Sequence, residues 1–359
     1  MIIYMGDELA SAVTSHALVA AEISALEDIA SVIRSGQHLV IGGYDTLKAI
    51  SGLAKLGTSA RAAFSSVLSR FSQLQSALDR VDLYAEVVLG DGVPLSVKIE
   101  GKIVIKIPLL FVLDMNLRSP VEILFEEIND RYIYEIISRW YVGRVFGSGL
   151  LNRSYRSVHG GGGRTFAVFT EMQRENSNFL VCVTDSDRKF PSDVFGTTST
   201  KVRDVNDQGK VLSFHLDLDF HEVENLVPLS FIKENSNSRY TDILVAQMKK
   251  AEVNGCPEAK LFLDYKKGIK YCYLRSEEKA LAYWGVALSL EDLACQKRCE
   301  PKDCTCEVVK PLQNKAEIRN KIESLTPISP NECPVLEKLW RDIGSVLISW
   351  SASAVPKLA

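Results

Sequence analysis

The spacing of hydrophobic and polar positions changes several times along the chain, and each change predicts a different element. Over 8–34, Leu18, Val19, Ile23, Leu26, Ile29 and Ile33 recur at near-helical spacing, with Gly36 placed to end the helix. Residues 38–47 predict a turn into a second helix ending near Leu56. Residues 60–81 carry a third helical face of Phe64, Val67, Leu68, Phe71, Leu74 and Leu78. From Leu83 the period falls to two. Stretches 83–89, 94–99 and 102–107, separated by GDG and EG, predict a three-stranded meander.

Leu117-Arg118-Ser119-Pro120 punctuates the chain, and a different pattern follows. Residues 121–130 form a short apolar run ending in carboxylates, followed by an amphipathic helix over 131–140 and a second short strand over 144–149. Four glycines at 160–163 predict a loop, and 166–173 a helix. Residues 179–183 form a buried strand, 211–220 another, and a helix is expected to begin within 221–232. Strands alternating with helices predict an α/β core, a mostly parallel sheet with flanking helices, over 118–235. It would follow a helical plus antiparallel amino-terminal domain over 1–117. A mainly helical carboxy-terminal region over 236–359 would complete the chain, with an extended stretch at 260–271 and an amphipathic helix at 340–350.

Carboxylates gather where these strands end. Asp185 and Asp187 follow the 179–183 run, and α/β sheets bind ligands at the carboxyl ends of their strands. Mg²⁺ takes oxygen ligands, commonly one or two carboxylates plus phosphates. An isolated Asp-x-Asp is more often a solvated turn, so the neighbouring segments decide its meaning. Gly161 and Gly162 lie in a glycine run flanked by Arg144, Arg153, Arg156 and Arg164, a pattern suited to phosphate. A flexible surface loop with solvated arginines is the bland alternative.

Composition narrows the classes. The chain has 359 residues, 46% hydrophobic and 24% charged, as in ordinary globular proteins. A net charge of −3 excludes a globally basic nucleic-acid coat but permits a basic patch. No apolar run reaches the ~18 residues of a membrane span, and no basic segment precedes an apolar core at the amino terminus, so a cytoplasmic protein without a membrane partner is expected. Cys295, Cys299, Cys304 and Cys306 fall within twelve residues. Their C-x3-C-x4-C-x-C spacing leaves a structural zinc site and clustered reduced thiols both open, with Cys333 able to replace one ligand.

Three segments line up in order: ILFEEIND, VCVTDSDR and FHEVENLVP. This order resembles the Toprim domain, in particular the Toprim-like nucleases of the OLD type and related anti-phage defence effectors, over 118–235. The resemblance implies that Glu126, Asp185, Asp187 and Glu224 are catalytic, with Asp130 and Glu222 as further metal ligands. It implies Mg²⁺ or Mn²⁺ as cofactor and nucleic acid as substrate, cleaved with the help of two divalent ions. The setting it implies is a prokaryotic defence or toxin-like effector with an ATPase or sensor partner, since no P-loop occurs. Glu127 stands where many members carry glycine, so whether Glu126 or Glu127 faces the site stays open. Glu100-Gly101 imitates the motif but is followed by a strand and is rejected. In the carboxy-terminal third, Lys266 or Lys267 is a candidate phosphate contact. A non-catalytic nucleotide- or metal-binding regulator and a primase-type enzyme are the alternatives.

Overall fold

The computed structural model describes residues 1–15, 18–147, 149–236, 238–290, 304–313, 315–331 and 333–354. Two sheets organise them. The first contains β1 (Ile2–Met5), β2 (Leu39–Gly42), β3 (Leu83–Val88), β4 (Leu95–Ile99) and β5 (Lys102–Pro108), in the order β2-β1-β3-β5-β4. Only the β4–β5 pairing is antiparallel. Around it lie α1 (Glu8–Thr14), α2 (Ala20–Ser35), α3 (Tyr44–Gly52), α4 (Thr58–Leu68) and α5 (Phe71–Leu78).

This part departs from the expected helical domain with a meander. β1 and β2 are buried four-residue runs, and strands covered on both faces read as continuous apolar runs without alternation. The meander fails because β5, rich in isoleucine, takes the interior position beside β3. The mostly exposed β4 is left at the edge. The Glu100-Gly101 turn joins β4 and β5 with both residues at positive φ, as a tight hairpin requires. Residues 60–81 break into two helices at Ser69 and Arg70.

The second sheet is fully parallel: β6 (Val121–Phe125), β8 (Tyr155–His159), β9 (Leu180–Thr184) and β10 (Ser213–Asp217), in the order β10-β9-β6-β8. A short β7 (Asn152–Arg153) precedes β8. The connecting helices are α6 (Arg131–Val145), α7 (Thr165–Glu175) and α8 (Thr197–Val205). Alternation along β6 assigns its faces. Val121, Ile123 and Phe125 pack with Ile133 and Ile137 of α6 in the main core, whereas Leu124 meets Phe169 of α7 and Val202 of α8. Among the described residues the strand expected over 144–149 is absent, because Tyr141 and Phe146 continue the buried face of α6. The α/β core with a parallel-rich sheet and flanking helices is therefore observed.

The carboxy-terminal third supplies α9 (Leu229–Glu234), α10 (Arg239–Val253), α11 (Tyr271–Ser276), α12 (Glu278–Leu288), α13 (Lys315–Glu323) and α14 (Pro334–Ser351), with the short strands β11 (Ile269–Lys270), β12 (Glu307–Val309) and β13 (Ala352–Ser353). α14 packs along α6, where the Trp140 and Trp340 rings meet edge-on at 5.7 Å. The Trp340 indole N–H donates to Leu226 O at 3.0 Å, tying this helix to a loop of the candidate site. Residues 260–271 are a 3-10 turn, a loop and the two-residue β11 rather than one continuous extended segment. No described helix is long and apolar enough to cross a membrane.

Candidate functional site

The strand order places a crevice at one end of the second sheet. From β6 the chain crosses to β8 on one side, whereas from β9 it crosses to β10 on the other. Adjacent parallel strands whose connections diverge leave an opening beyond their carboxyl ends. Glu126 follows β6 directly, and Asp185 follows β9 directly. Both acids therefore stand at the switch point.

The loop after β9 is closely fixed. Ser186, between the two aspartates, is buried and its hydroxyl donates to Phe220 O. Asp187 adopts φ +55°, its N–H donates to His221 O at 2.9 Å, and its side chain is exposed. Gly196, which precedes α8, backs onto it: a Cβ there would lie 2.7 Å from Asp187 Cβ. The next loop is held equally well. Asn225, fully buried, accepts the Glu222 N–H and donates to Lys260 O and Leu263 O. The His221 N–H donates to Leu261 O at 2.8 Å.

The result is a concentration of negative charge. Burial first, then Asp130, Glu224 and Glu126, push the Asp185 carboxyl well above its ordinary range. Burial and the Asp187 charge raise Glu126, against hydrogen bonds from Thr198 and the Asp185 backbone. Burial and Glu224 push Asp130 up to about 7. Burial and Glu224 raise Glu222 as well, against the nearby Lys266. Tyr134, stacked at 5.3 Å on Phe125, lies beside the same charges; burial, then Asp185 and Asp130, hold its phenol protonated. The two adjacent glutamates differ in setting. Glu126 is mostly buried among the acids, whereas Glu127 is exposed and faces His159 at 3.5 Å.

Lys266 and Asp264 reach this basin from the carboxy-terminal third, expected to be accessory. The Lys266 ammonium lies 3.2 Å from Glu222 and 3.1 Å from Glu224, so it engages carboxylates rather than standing clear for phosphate. Lys267 lies 3.6 Å from Asp264. Among the described residues, only His221, Glu222 and Asp264 bring three metal-ligand atoms within 4.8 Å of one another. Glu126, Asp185 and Asp187 share one electrostatic field without closing to that spacing.

The expected phosphate contacts divide. Gly161 and Gly162 hold positive φ at +77° and +59°, which lets the loop turn sharply. Two of its N–H groups are used internally: Gly160 donates to Phe125 O at 2.7 Å and Gly162 to Glu126 O at 3.1 Å. The run therefore braces the strand end that carries Glu126. Arg164 is exposed beside it. Arg156 pairs with Glu122, and β8 aligns it three residues before the carboxyl end of β6, about 10 Å short of the site at ~3.3 Å per residue. Arg153 is bound to Glu135 on α6.

Beside Asp130 and Glu224 opens a cavity of about 380 Å³, with Lys266, Lys315 and Arg319 as its basic residues and Ile133 and Ile322 among its apolar ones. Lys315 and Arg319 carried no sequence signal, because α13 is distant in sequence and its charges look like a solvated face. Of the cysteine cluster, Cys295 and Cys299 lie outside the described residues. Cys304 is buried against Cys272, and Cys306 is half-buried beside them. No protein-family model matches the chain, and no curated protein or solved structure matches it.

Proposed function

We propose that the chain is a divalent-metal-dependent nuclease with a Toprim-type centre, hydrolysing phosphodiester bonds of DNA or RNA. The observation that carries this is the convergence of Glu126, Asp130, Asp185, Glu222 and Glu224 at the switch point, where proximity and burial raise several of them together. Half-buried carboxylates that repel one another are relieved by taking up protons or a cation. The donor set, all carboxylate, suits Mg²⁺ or Mn²⁺. The buried Glu224 Oε2 makes no hydrogen bond among the described residues, which fits a cation's place.

Glu126, Asp185 and Asp187 would hold such an ion, with Glu224, Glu222 and Asp130 flanking it. When bound, it supplies charge neutralisation to the phosphate and acidifies water. Glu126, whose carboxyl burial and the Asp187 charge raise, is suited to take up a proton from the attacking water. Lys315 and Arg319 offer positive charge to a polynucleotide backbone, and Arg164 to its flank. By resemblance the setting is a defence or toxin-like effector working with an ATPase or sensor.

A second reading is a metal- or nucleotide-binding regulator that does not cut. The Lys266 ammonium between Glu222 and Glu224 favours it, since it already balances part of the charge. One experiment separates the two. Plasmid DNA and total RNA are incubated with the protein, Asp185→Asn and Glu126→Gln, in Mg²⁺ and in Mn²⁺. Cleavage by the parent alone supports the nuclease. Equal traces from all three, or metal binding with no cleavage in the presence of the partner, favour the regulator.

A further inference from the structure

At the edge of the acidic basin, His221 closes a group of different chemistry. Its side chain is only 3% exposed, and among the described residues neither ring nitrogen makes a hydrogen bond within 3.5 Å. Nε2 lies 3.7 Å from Glu222 Oε1 and 3.7 Å from Asp264 Oδ2. That separation is too long for a hydrogen bond. It is within ion-pair reach, and it is also the separation of two ligands sharing one ion. Donors ~2.1 Å from a metal and roughly 110–125° apart stand about 3.4–3.7 Å from each other.

The surroundings orient each donor. Asp264 Oδ1 accepts the backbone N–H groups of Lys266 and Lys267 at 2.8 and 2.7 Å, which turns Oδ2 towards His221. Glu222 directs Oε1 to His221 and Oε2 to Lys266. Asn225 fastens the His221–Glu222 backbone to the segment carrying Asp264. Such outer contacts hold metal ligands in place.

We infer that His221, Glu222 and Asp264 form a second metal site, for a divalent transition ion such as Zn²⁺ or the harder Mn²⁺. One imidazole and two carboxylates select these ions over Mg²⁺ and Ca²⁺, which take oxygen alone. The ion would fasten the 260–268 loop to the loop after β10, and so fix Glu222 and Lys266 at the mouth of the basin. The site needs no phosphodiester chemistry and stands whether or not the protein cuts nucleic acid. Three ligands leave room for water or a substrate oxygen.

Co²⁺ is the probe, since its visible absorption reports coordination. The full chain is titrated with Co²⁺ beside His221→Gln, Asp264→Asn and Asp185→Asn. An intense visible band is expected for the parent and for Asp185→Asn. At least a tenfold loss of affinity is expected for His221→Gln and Asp264→Asn. A band that survives His221→Gln, no band in the parent, or a band lost in Asp185→Asn alone overturns the site. If the buried His221→Gln fails to fold, pulsed electron paramagnetic resonance of the Asp185→Asn chain saturated with Mn²⁺ decides. Imidazole nitrogen coupling supports the assignment, and its absence overturns it.

Discussion

Asp130→Asn should stabilise the metal-free protein, and the structure sets the size of the effect. Asp130 is mostly buried; desolvation and the Glu224 charge push its carboxyl from 3.8 up to about 7. That difference corresponds to at most about 4 kcal/mol against the ionised form, at about 1.4 kcal/mol for each tenfold change in acidity. Partial exposure screens it, so about 2 kcal/mol is expected. The folded state keeps this proton up to about pH 7, whereas the unfolded chain loses it near 4. Between those values the folded state binds more protons, so the parent loses stability as pH rises, most fully above 7. Asparagine removes the charge, and its carbonyl oxygen still accepts the Glu127 N–H that reaches Asp130 Oδ2 at 3.2 Å. Melting is followed in EDTA at pH 8 and pH 5. The variant should melt roughly 4 °C higher at pH 8, at about 2 °C per kcal/mol for a chain of this size. The gap should narrow at pH 5. Mg²⁺ or Mn²⁺ should raise the parent more than the variant. A variant no more stable than the parent at pH 8, or a gap that ignores pH, would refute the charge-repulsion argument.

Three further outcomes follow from particular contacts. Gly196→Ala places a methyl group 2.7 Å from Asp187 Cβ, so that aspartate must shift; nuclease turnover should fall roughly 10- to 100-fold while Mn²⁺ still binds, checked by kinetics beside metal titration. Glu135→Gln should cost about 1–3 kcal/mol in denaturant melts at pH 7, since Glu135 receives Arg153 and the Tyr155 hydroxyl. Burial would raise that carboxyl, but Arg153 and Tyr155 outweigh it and hold it below 4.5, so its contribution is present above 4.5 and is lost as pH falls below it. Trp340→Phe removes the 3.0 Å bond to Leu226 O; a loss of about 1 kcal/mol and faster hydrogen exchange over 223–226 are expected, and unchanged exchange there would show that α14 does not brace the site.

The alternation of strands and helices over 118–235 was legible where a parallel strand is a short apolar run, as in β6 and β9; β8, Tyr-Arg-Ser-Val-His and only half-buried, has no such run and escaped the sequence reading. The acids at strand ends were legible because polarity changes abruptly where a buried strand leaves the core, as at Val183-Thr184-Asp185. Local sequence could not order the strands. β5 lies beside β3 although β4 intervenes in the chain, and β1 and β2 have no period to detect because both their faces are covered. Nor could it tell Glu126 from Glu127, neighbours that differ only in which way the backbone turns them after β6. Arg156 looked like a phosphate contact from its closeness to the glycines, but parallel register carries it to the far part of the strand. His221 and Asp264 are more than forty residues apart, and only the docking of the 260–268 loop against the loop after β10 brings their side chains together. Sequence by itself determined which residues are acidic and that they end strands. Tertiary structure decided which of them share one field, because burial and distance, not identity, set how strongly charges act on each other.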